Sequence, residues 1–518
     1  MGIQVQPTES GAKQRSAYSS RDWLGVIGIL ASLAFIIVLA IQISQRPFGF
    51  VGDFYHVLAC QMVAAGRKPY VDFFIQQAPL YSLVCGAWMR IFGSSWYAAN
   101  LLSALLVCGS ATIIAGIASQ IYSETGWGVK GGIVALLLFG LNFLVAQNGD
   151  IAEPYALCMF FCLLAWAAAF VGRPTGARSF ASGLAAGAAV NTTLLSFPFL
   201  LILTGWSVFH TARPDRYRGL LWLLCGAAVA SIPLAYLAIL APSQAWFGIA
   251  GYHLFYRGDG WTQITWWNVR QILEWTTSPQ PVLLVFLSLT GLPFLFDSKT
   301  PTSTRYSLQY AALIASSWAL FLILLRPTFF FYYVLVIPYV CLLASPGLWA
   351  MAVRMWSPRW ASIILVGTIV LYSLAVIRPI VPLVYNSLST KPYEFADYEE
   401  VARMINAIAG TNEPLYADDE AIYVFARRLP PRGLENRFGE ALRLSPEEYA
   451  RAGLVPRERI EAQLRAGSFS AVVLTNIDGN ERSPTLNIVR NSQLYSEYAQ
   501  TKTHVVFSRL KLQPAKEP

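Results

Sequence analysis

The sequence predicts a polytopic membrane protein, an all-α bundle of roughly eleven transmembrane helices followed by a small soluble α/β domain. Composition, the length of the apolar runs and the distribution of charge all indicate this class. Of 518 residues, 55% are hydrophobic and only 13% are charged, and the mean hydropathy is +0.47. Soluble proteins carry nearer to about a quarter charged residues. This chain therefore has too little polar surface to cover a water-soluble particle.

Apolar runs long enough to cross a bilayer recur along the first three-quarters of the chain. Clear examples are Trp23–Ala40, Leu101–Ala118, Gly131–Val145 and Ala361–Val376. We expect the first to remain as a span, because its apolar core is long and no small-residue cleavage site follows it. We interpret Ala181–His210 as two short spans around Asn191–Thr193. A single span there would invert the topology downstream.

The net charge of +9 does not indicate a nucleic-acid partner, because the excess lies in the membrane part. From Arg378 onward there are 18 basic and 18 acidic residues, against 20 basic and 11 acidic before it. The N-terminal tail and the loops predicted to lie inside hold 13 basic and five acidic residues. The predicted outer loops hold seven basic and six acidic residues. Lys and Arg accumulate on the cytoplasmic side. The N-terminus is therefore predicted inside the plasma (inner) membrane and the C-terminal domain outside it.

Three segments follow from these patterns: a cytoplasmic tail over 1–22, a polytopic domain over 23–378 and an extracytoplasmic α/β domain over 379–518. The last contains predicted helices and strands at Asp397–Ala409, Leu415–Ala417, Arg459–Ala466, Ala471–Thr475 and Val505–Ser508. Of seven cysteines, five fall in apolar spans. Cys60 and Cys85 lie in an outer loop, where we expect free thiols; a disulfide in an oxidising compartment is the alternative.

Two outer loops are long. The first, about 46–93, contains an apolar periodicity over Asp53–Gly66 that predicts a helix, ended by Gly66 and Pro69. A second amphipathic helix is predicted after Pro79, and both helices are expected to lie along the membrane interface. The other loop, about 242–280, is rich in Trp and Tyr. It is typical of an interfacial aromatic belt, although the same rings could stack on a sugar.

The usual catalytic signatures are missing from the sequence. It has no phosphate-cradling G-x-x-x-x-G-K-[ST] loop, no G-x-S-x-G elbow and no Cys/His spacing typical of a metal site. Energy must therefore come from an ion gradient or from a substrate that is already activated.

Acidic residues provide the strongest indication of a site. Four of the 11 in the membrane part lie at the predicted outer ends of spans: Asp53, Asp72, Asp150 and Glu153. Ionisable groups at the membrane margin are costly, which makes them functional candidates. Asp53 could act as a general base or as a helix N-cap. Asp72 could instead pair with Arg67 or Lys68, and Asp150 and Glu153 could cap the helix that begins near Pro154.

Cations on the same predicted side could bind a phosphate, since the guanidinium fork of Arg matches phosphate oxygens. The candidates are Arg257, Arg270 and Arg326, the last followed closely by Tyr332 and Tyr333. The alternative is that these arginines merely extend from span ends toward water. In the C-terminal domain, Asp418-Asp419-Glu420 is interpreted as a solvated helix start rather than a metal site.

The first outer loop carries a family resemblance. Gly52-Asp53-Phe54-Tyr55, Gly66-Arg67-Lys68-Pro69-Tyr70-Val71-Asp72-Phe73-Phe74 and Gln77-Ala78-Pro79-Leu80-Tyr81 resemble that loop in C-type (GT-C) glycosyltransferases. The branch is the bacterial one related to protein O-mannosyltransferases and lipid A aminoarabinose transferases. Asn148–Tyr155, Phe331–Pro338 and Tyr398–Ala417 are similar to later segments of the family, in the same order.

Several positions depart from the family pattern. Gln77-Ala78 replaces His-Pro, Tyr332 stands where His is usual, and a single Asp53 replaces an acidic pair. Asn191-Thr192-Thr193 occupies a span in which relatives often carry Lys. Handling of the donor or acceptor is therefore expected to differ, and an inactive relative is the alternative.

The resemblance implies a hexosyl- or pentosyltransferase that takes its sugar from a polyprenyl-phosphate-linked donor on the outer face. Asp53 would be the base and the arginines would hold the lipid phosphate, with inversion at the sugar. The acceptor would be a glycan, a lipid or a protein; no cofactor is indicated, and a divalent metal stays open. The alternative functions are a transporter or flippase and a membrane anchor for the C-terminal domain. A transporter or flippase would show repeated halves and interrupted spans with buried ionisable groups. In this sequence the charges lie mainly in loops and no repeat is evident.

Overall fold

The structure, a computed structural model, describes residues 30, 32–34, 36–38, 40, 52–125, 127–149, 151–170, 175–210, 213–256, 264–325, 328–355, 363–374, 393–436, 442–476 and 484–510. The predicted cytoplasmic tail and the start of the first predicted span lie outside these residues. The boundary near 378 also lies outside them, so the division into three segments stays a prediction.

Most of the described residues up to 374 are helical. They are α1 (Gly52–Ala64), α2 (Leu80–Phe92), α3 (Trp96–Ile121), α4 (Gly128–Gly140), α5 (Phe143–Asn148), α6 (Pro154–Phe170), α7 (Gly176–Thr192), α8 (Phe197–His210), α9 (Arg213–Ala230), α10 (Ile232–Leu240), α11 (Pro242–Trp246), α12 (Ile264–Thr276), α13 (Pro279–Gly291), α14 (Thr302–Leu324), α15 (Ile337–Met355) and α16 (Ile363–Leu374). A π-helix covers Phe247–Tyr256, and a 3₁₀ helix covers Phe330–Leu335.

Two of the described helices, α3 and α14, are each long and apolar enough to cross a membrane alone. Two bent pairs could each serve as one further span: α9 with α10, bent by 46°, and α12 with α13, bent by 92°. Other apolar helices, such as α6, are shorter than 18 residues. The number of spans therefore stays a prediction. The predicted pair at Ala181–His210 is present as two helices, α7 and α8, separated after Thr192.

Small residues allow α7 and α9 to pack with their backbones in contact. A Cβ atom on Gly183 would lie 1.8 Å from the Leu223 carbonyl oxygen, and one on Gly226 would lie 2.1 Å from the Phe180 carbonyl oxygen. Helix association in a membrane depends on such close contact, because lipid tails are as apolar as the side chains. These glycines therefore fix the distance between the two helices.

A buried amide joins three helices near the predicted outer face. The Gln280 side chain accepts a hydrogen bond from the Phe143 backbone NH at 2.7 Å and donates to the Leu141 carbonyl, also at 2.7 Å. Tyr372 of α16 accepts a hydrogen bond from Asn142 at 2.8 Å and donates to the Leu138 carbonyl at 2.9 Å. The α4–α5 turn, the start of α13 and α16 are thereby held together.

The C-terminal residues form an α/β unit around a four-stranded sheet. Its elements are α17 (Tyr393–Ile408), β1 (Leu415–Ala417), α18 (Glu420–Ala426), α19 (Pro446–Ala452), α20 (Arg457–Arg465), β2 (Ala471–Thr475), α21 (Pro484–Arg490), β3 (Tyr495–Gln500) and β4 (His504–Arg509). The strand order is β1-β2-β4-β3, with β1 parallel to β2 and the other pairs antiparallel. All three predicted strands are present, β4 extended by one residue at each end, and the fourth, β3, was not predicted.

The two helices of the first outer loop are confirmed, but α1 is not amphipathic. Gly66 ends it in a left-handed conformation (φ +92°), and Pro79 is the N-cap of α2. Every residue from Phe54 to Val63 is buried, including His56 and Gln61. The face that was expected to be free is covered by the C-terminal domain, since the Gln61 side chain donates to the Arg428 carbonyl at 3.2 Å.

The α7–α9 contact can be tested with Gly183→Leu. We expect the apparent melting temperature of the detergent-solubilised chain to fall by about 1–3 °C, because overpacking costs roughly 1–3 kcal/mol and the nearest atoms are backbone. Gly205→Leu on α8 is the control, since a Cβ atom at that position would have no neighbouring atom of the described chain within 4 Å. Equal melting temperatures for the two variants would contradict the contact.

Candidate functional site

The helix that carries the predicted base starts at the junction of the membrane part and the C-terminal domain. Asp53 lies in the first turn of α1, which begins at Gly52; the structure does not describe its side chain. The Phe54 ring that follows packs 5.8 Å from Tyr398 and 5.9 Å from Phe425, centroid to centroid. The start of α1 is thus positioned by two rings from the C-terminal domain.

Asp72 stabilises the turn between α1 and α2. One of its carboxylate oxygens accepts a hydrogen bond from the Lys68 backbone NH at 2.7 Å, and the same turn holds Tyr70 at a φ of +65°. The predicted alternative was a side-chain pair with Arg67 or Lys68. The described contact is instead with the Lys68 backbone, which gives Asp72 a structural role in the turn.

Glu153 is a buried carboxylate, with 4% of the residue exposed, immediately before α6. Its neighbour Ala152 donates a backbone hydrogen bond to the Asn100 side chain at 2.6 Å and belongs to the same apolar cluster as Phe54 of α1. The structure therefore places residues 151–153 and the first outer loop in one packed region. Glutamate is seldom so fully buried, and an ionisable group at the membrane margin is a functional candidate.

Tyr332 and Tyr333 are buried in the 3₁₀ helix Phe330–Leu335. The Tyr332 ring lies 5.4 Å from the ring of Tyr155, two residues after Glu153. The Tyr333 hydroxyl is buried and has no hydrogen-bond partner within the described part of the chain. Buried hydroxyls normally have a partner, which makes this one a candidate for contact with a bound ligand.

Arg270 is already paired. Its Nε atom lies 2.6 Å from a carboxylate oxygen of Glu274, one turn later on α12, and both side chains are more than half exposed. Glu274 also lines a cavity of about 440 Å³, together with Trp275, Gln280 and Phe330. The cavity thus lies between the sharp α12–α13 bend and the 3₁₀ helix that holds Tyr332 and Tyr333.

Asp150, Arg257 and Arg326 lie outside the described residues, but the positions on either side of Arg326 are fixed. The Asn268 amide donates to the carbonyls of Ile323 at 2.9 Å and Leu325 at 2.8 Å. After Arg326, the Thr328 hydroxyl donates to the Leu322 carbonyl. The residue before this position is therefore held against α12, and Thr328 is held against the end of α14.

The aromatic loop divides into exposed and packed rings. Trp246, Trp266 and Trp267 are exposed, which fits an interfacial belt. The Tyr256 hydroxyl instead donates to the Glu448 carboxylate of the C-terminal domain at 2.7 Å. His253 contacts the Gln76 carbonyl at 2.7 Å through Nε2.

Sequence reasoning missed Glu435, which joins the C-terminal domain to the first outer loop. Its carboxylate accepts a hydrogen bond from the Phe74 backbone NH at 2.8 Å, and nearby Arg67 donates to the Pro430 carbonyl at 2.9 Å. Burial raises the pKa of Glu435 to about 7, although the bond from Phe74 and the charge of Arg67 oppose that shift. Glu435 and Phe74 are 361 positions apart in the sequence, which explains why no local pattern indicated the contact.

A second unpredicted group lies in the C-terminal domain. Buried His504 contacts Asp397 at 3.4 Å and Asp419 at 3.5 Å. Burial alone would lower the pKa of His504, but hydrogen bonds and charges from Asp419 and Asp397 outweigh it and raise that pKa. Asp419 does start a helix, as the N-cap of α18. The expected solvation was wrong, because neighbouring Glu420 is buried and Asp419 receives a bond from Tyr398 at 2.8 Å.

Two further predictions concern cysteines and metals. Cys60 and Cys85 are both free thiols, as expected, and both are also buried, which was not predicted. Among the described residues, no group of three or more His, Cys, Asp or Glu side chains could hold a metal ion. Whether a divalent metal takes part therefore stays open.

The fold is similar to that of solved ArnT structures, which confirms at the level of the fold the resemblance predicted from the first outer loop and fits a polytopic membrane protein. ArnT from Cupriavidus metallidurans in the apo state aligns over 95% of this chain and 99% of its own length, with a TM-score of 0.65 and 14% identity. ArnT bound to undecaprenyl phosphate aligns over the same shares, with a TM-score of 0.63 and 14% identity.

A mycobacterial arabinofuranosyltransferase, AftD, aligns over 95% of this chain and 42% of its own, with a TM-score of 0.54 and 17% identity. No protein-family model matches the sequence, and no curated protein matches it. The likeness is thus one of fold.

The Glu435 contact predicts a pH-dependent attachment of the C-terminal domain to the first outer loop. A carboxyl whose pKa is higher in the folded state loses stabilising free energy as pH rises, here from its ordinary pKa near 4.5 through about 7. We expect hydrogen–deuterium exchange over residues 66–79, corrected for intrinsic rates, to be faster at pH 8 than at pH 5.5. The difference in stability should be about 3 kcal/mol or less.

Glu435→Gln keeps an acceptor for Phe74 and removes the titration, so its exchange should be independent of pH over this range. Glu458→Gln changes an exposed carboxylate of the same domain and should behave like the unmodified chain. A Glu435→Gln variant with an unchanged pH dependence would remove Glu435 as the cause.

Proposed function

We propose that this protein is a glycosyltransferase that moves a sugar from a polyprenyl-phosphate-linked donor to an acceptor hydroxyl on the outer face of the membrane. The observation that carries the proposal is the alignment with ArnT, which extends over nearly the whole of both chains. ArnT has also been solved with undecaprenyl phosphate. A polyprenyl-phosphate sugar is an activated substrate, which fits a sequence that lacks a nucleotide-binding loop.

The packing of three segments supports a single site. Ala152 shares an apolar cluster with Phe54 at the start of α1, and Tyr155 contacts Tyr332. The predicted base Asp53, the buried Glu153 and the two tyrosines are therefore on neighbouring elements. Asp72 is the weaker candidate, since it stabilises a turn.

In the proposed reaction, the Asp53 carboxylate removes the proton of the acceptor hydroxyl as its oxygen attacks the anomeric carbon. A new carbon–oxygen bond forms on the face opposite the lipid phosphate. The bond from the anomeric carbon to the phosphate oxygen breaks, and its electron pair leaves with the lipid phosphate. The configuration at the sugar is thereby inverted, and the proton ends on Asp53. Glu153 would orient the acceptor or the sugar.

The leaving phosphate needs donors that stabilise its developing negative charge. We assign this role to Arg326 and to the Tyr333 hydroxyl. The ring of Tyr332, which packs against Tyr155, would support the position of Tyr333. Arg257 follows directly after Tyr256 and is the second candidate. Arg270 would have to give up its contact with Glu274 at 2.6 Å, which makes it the weakest of the three arginines.

The assignment of Asp53 can be tested with Asp53→Asn, which keeps the shape of the side chain and removes its basicity. We expect transfer of a radiolabelled sugar from a polyprenyl-phosphate donor to fall by a factor of about 10² or more. Asp297→Asn, a half-buried acid on a different loop that accepts a hydrogen bond from the Lys299 backbone NH at 2.9 Å, should retain activity. Full transfer by Asp53→Asn would remove Asp53 as the base, and lipid translocation without any transfer would favour a flippase.

The phosphate-binding role of Tyr333 can be tested with Tyr333→Phe, which preserves ring packing and removes one hydroxyl. A hydrogen bond to a charged group contributes roughly 1.5–3 kcal/mol, so kcat/KM for the donor should fall about tenfold or more. Tyr339→Phe is the matched control, since Tyr339 is another buried hydroxyl without a partner in the described chain. Equal effects from the two variants would indicate loss of packing instead of loss of a ligand contact.

A further inference from the structure

A second cavity, separate from the proposed active site, lies at the other end of α1. Its volume is about 370 Å³, and its walls come from the end of α1, the turn after it, α2 and α10. The helix rises by about 1.5 Å per residue, so Val63 at this cavity is roughly 15 Å from Asp53 along the axis. The two sites are therefore at opposite ends of one helix.

The cavity combines three cations with apolar walls. Arg67, Lys68 and Arg90 line it, with Leu83 and Tyr236 among the apolar residues, and no lining residue is acidic. Two acids nearby are already bonded to backbone NH groups: Asp72 accepts from Lys68, and buried Glu435 accepts from Phe74. This charge is suited to a phosphate.

Both guanidinium groups are held in place and still have donors to offer. Arg90 donates from Nε to the Ala64 carbonyl at 2.9 Å and from Nη2 to the Val63 carbonyl at 3.0 Å. Arg67 donates from Nη1 to the Pro430 carbonyl at 2.9 Å. Each guanidinium has five N–H groups, so neither is exhausted. The Lys68 ammonium lies over the Tyr236 ring at 5.9 Å and adds three further donors.

Apolar surface continues from the cavity along two helices. On α10, Ile232 and Ile239 are 59% and 79% exposed, and on α2, Ile91 and Phe92 are 75% and 57% exposed. Such surface is expected to face lipid in a membrane protein. A cationic cavity that opens onto it matches a molecule with a phosphate head and hydrocarbon tails, whereas a soluble anion would leave the apolar surface unused.

We propose that this cavity binds the phosphate of an anionic glycerophospholipid from the surrounding leaflet, with the acyl chains lying along α10 and α2. Arg67, Lys68 and Arg90 contact the phosphate, and the bound lipid holds the end of α1 against α10. This site is independent of the proposed sugar transfer, because neither the donor nor Asp53 takes part.

The test measures lipid binding to the delipidated full-length chain by native mass spectrometry, without any sugar donor. Phosphatidylglycerol should bind at least about tenfold more tightly than phosphatidylcholine, as expected for one strong charge-assisted contact. Lys68→Gln changes an exposed side chain and should weaken phosphatidylglycerol binding about five- to tenfold. Lys130→Gln changes another exposed lysine, in the first turn of the apolar helix α4, and this variant should bind like the unmodified chain.

Three results would overturn the proposal. The first is equal weakening by Lys68→Gln and Lys130→Gln, which would indicate general charge attraction. The second is displacement of phosphatidylglycerol by millimolar inorganic phosphate, which would indicate a soluble anion. The third is a strong preference for undecaprenyl phosphate, which would make the cavity a site for the carrier. Because Lys68→Gln preserves both arginine–carbonyl contacts, a folding defect is not expected, and an unchanged melting temperature verifies this.

Discussion

The organisation of the predicted outer face depends on how one irregular segment satisfies its backbone hydrogen bonds. Between α1 and α2 the chain has no helix to pair its peptide groups, and unpaired peptide groups are costly when buried. The Gln76 NH donates to the Tyr55 hydroxyl at 2.8 Å, and the Gln76 carbonyl contacts His253 at 2.7 Å. The Phe74 NH donates to Glu435, and Arg432 donates to the Val71 carbonyl.

These partners come from three separate parts of the chain. Tyr55 belongs to α1, His253 to the π-helix of the aromatic loop, and Glu435 and Arg432 to the C-terminal domain. The conformation of the segment is therefore a property of the assembled protein and not of its own sequence. The same contacts place α1, and with it the proposed catalytic position, in a fixed relation to the C-terminal domain.

Local patterns predicted those parts of the fold that depend on near neighbours. Gly66 could be predicted to end α1 because glycine adopts a positive φ at little cost. Strands β1 and β2 were found at their observed bounds, since they are short, apolar and β-branched or aromatic. A mostly helical membrane part with a small C-terminal α/β unit followed from composition and apolar runs, and the likeness to ArnT fits it.

Burial between distant segments could not be predicted in this way. The all-round burial of α1 depends on a domain that begins more than 300 residues later, so its polar residues looked like an exposed face. For the same reason Asp419 and Glu420 looked solvated, whereas Tyr398 and His504 contact Asp419 and Glu420 is buried. Among the site candidates, the sequence identified Glu153 and Tyr332 but not that Tyr155 connects them.

The contact between Tyr256 and Glu448 has a mechanical consequence. It ties the C-terminal domain to the last residue before Arg257, at 2.7 Å, while Glu435 ties the same domain to the segment after α1. A rigid-body rotation of that domain would therefore displace both ends of the proposed catalytic region at once. In the proposed reaction, opening this region to release the lipid phosphate and weakening the contacts with that phosphate would be a single movement, and the rate of that movement would set an upper limit on turnover.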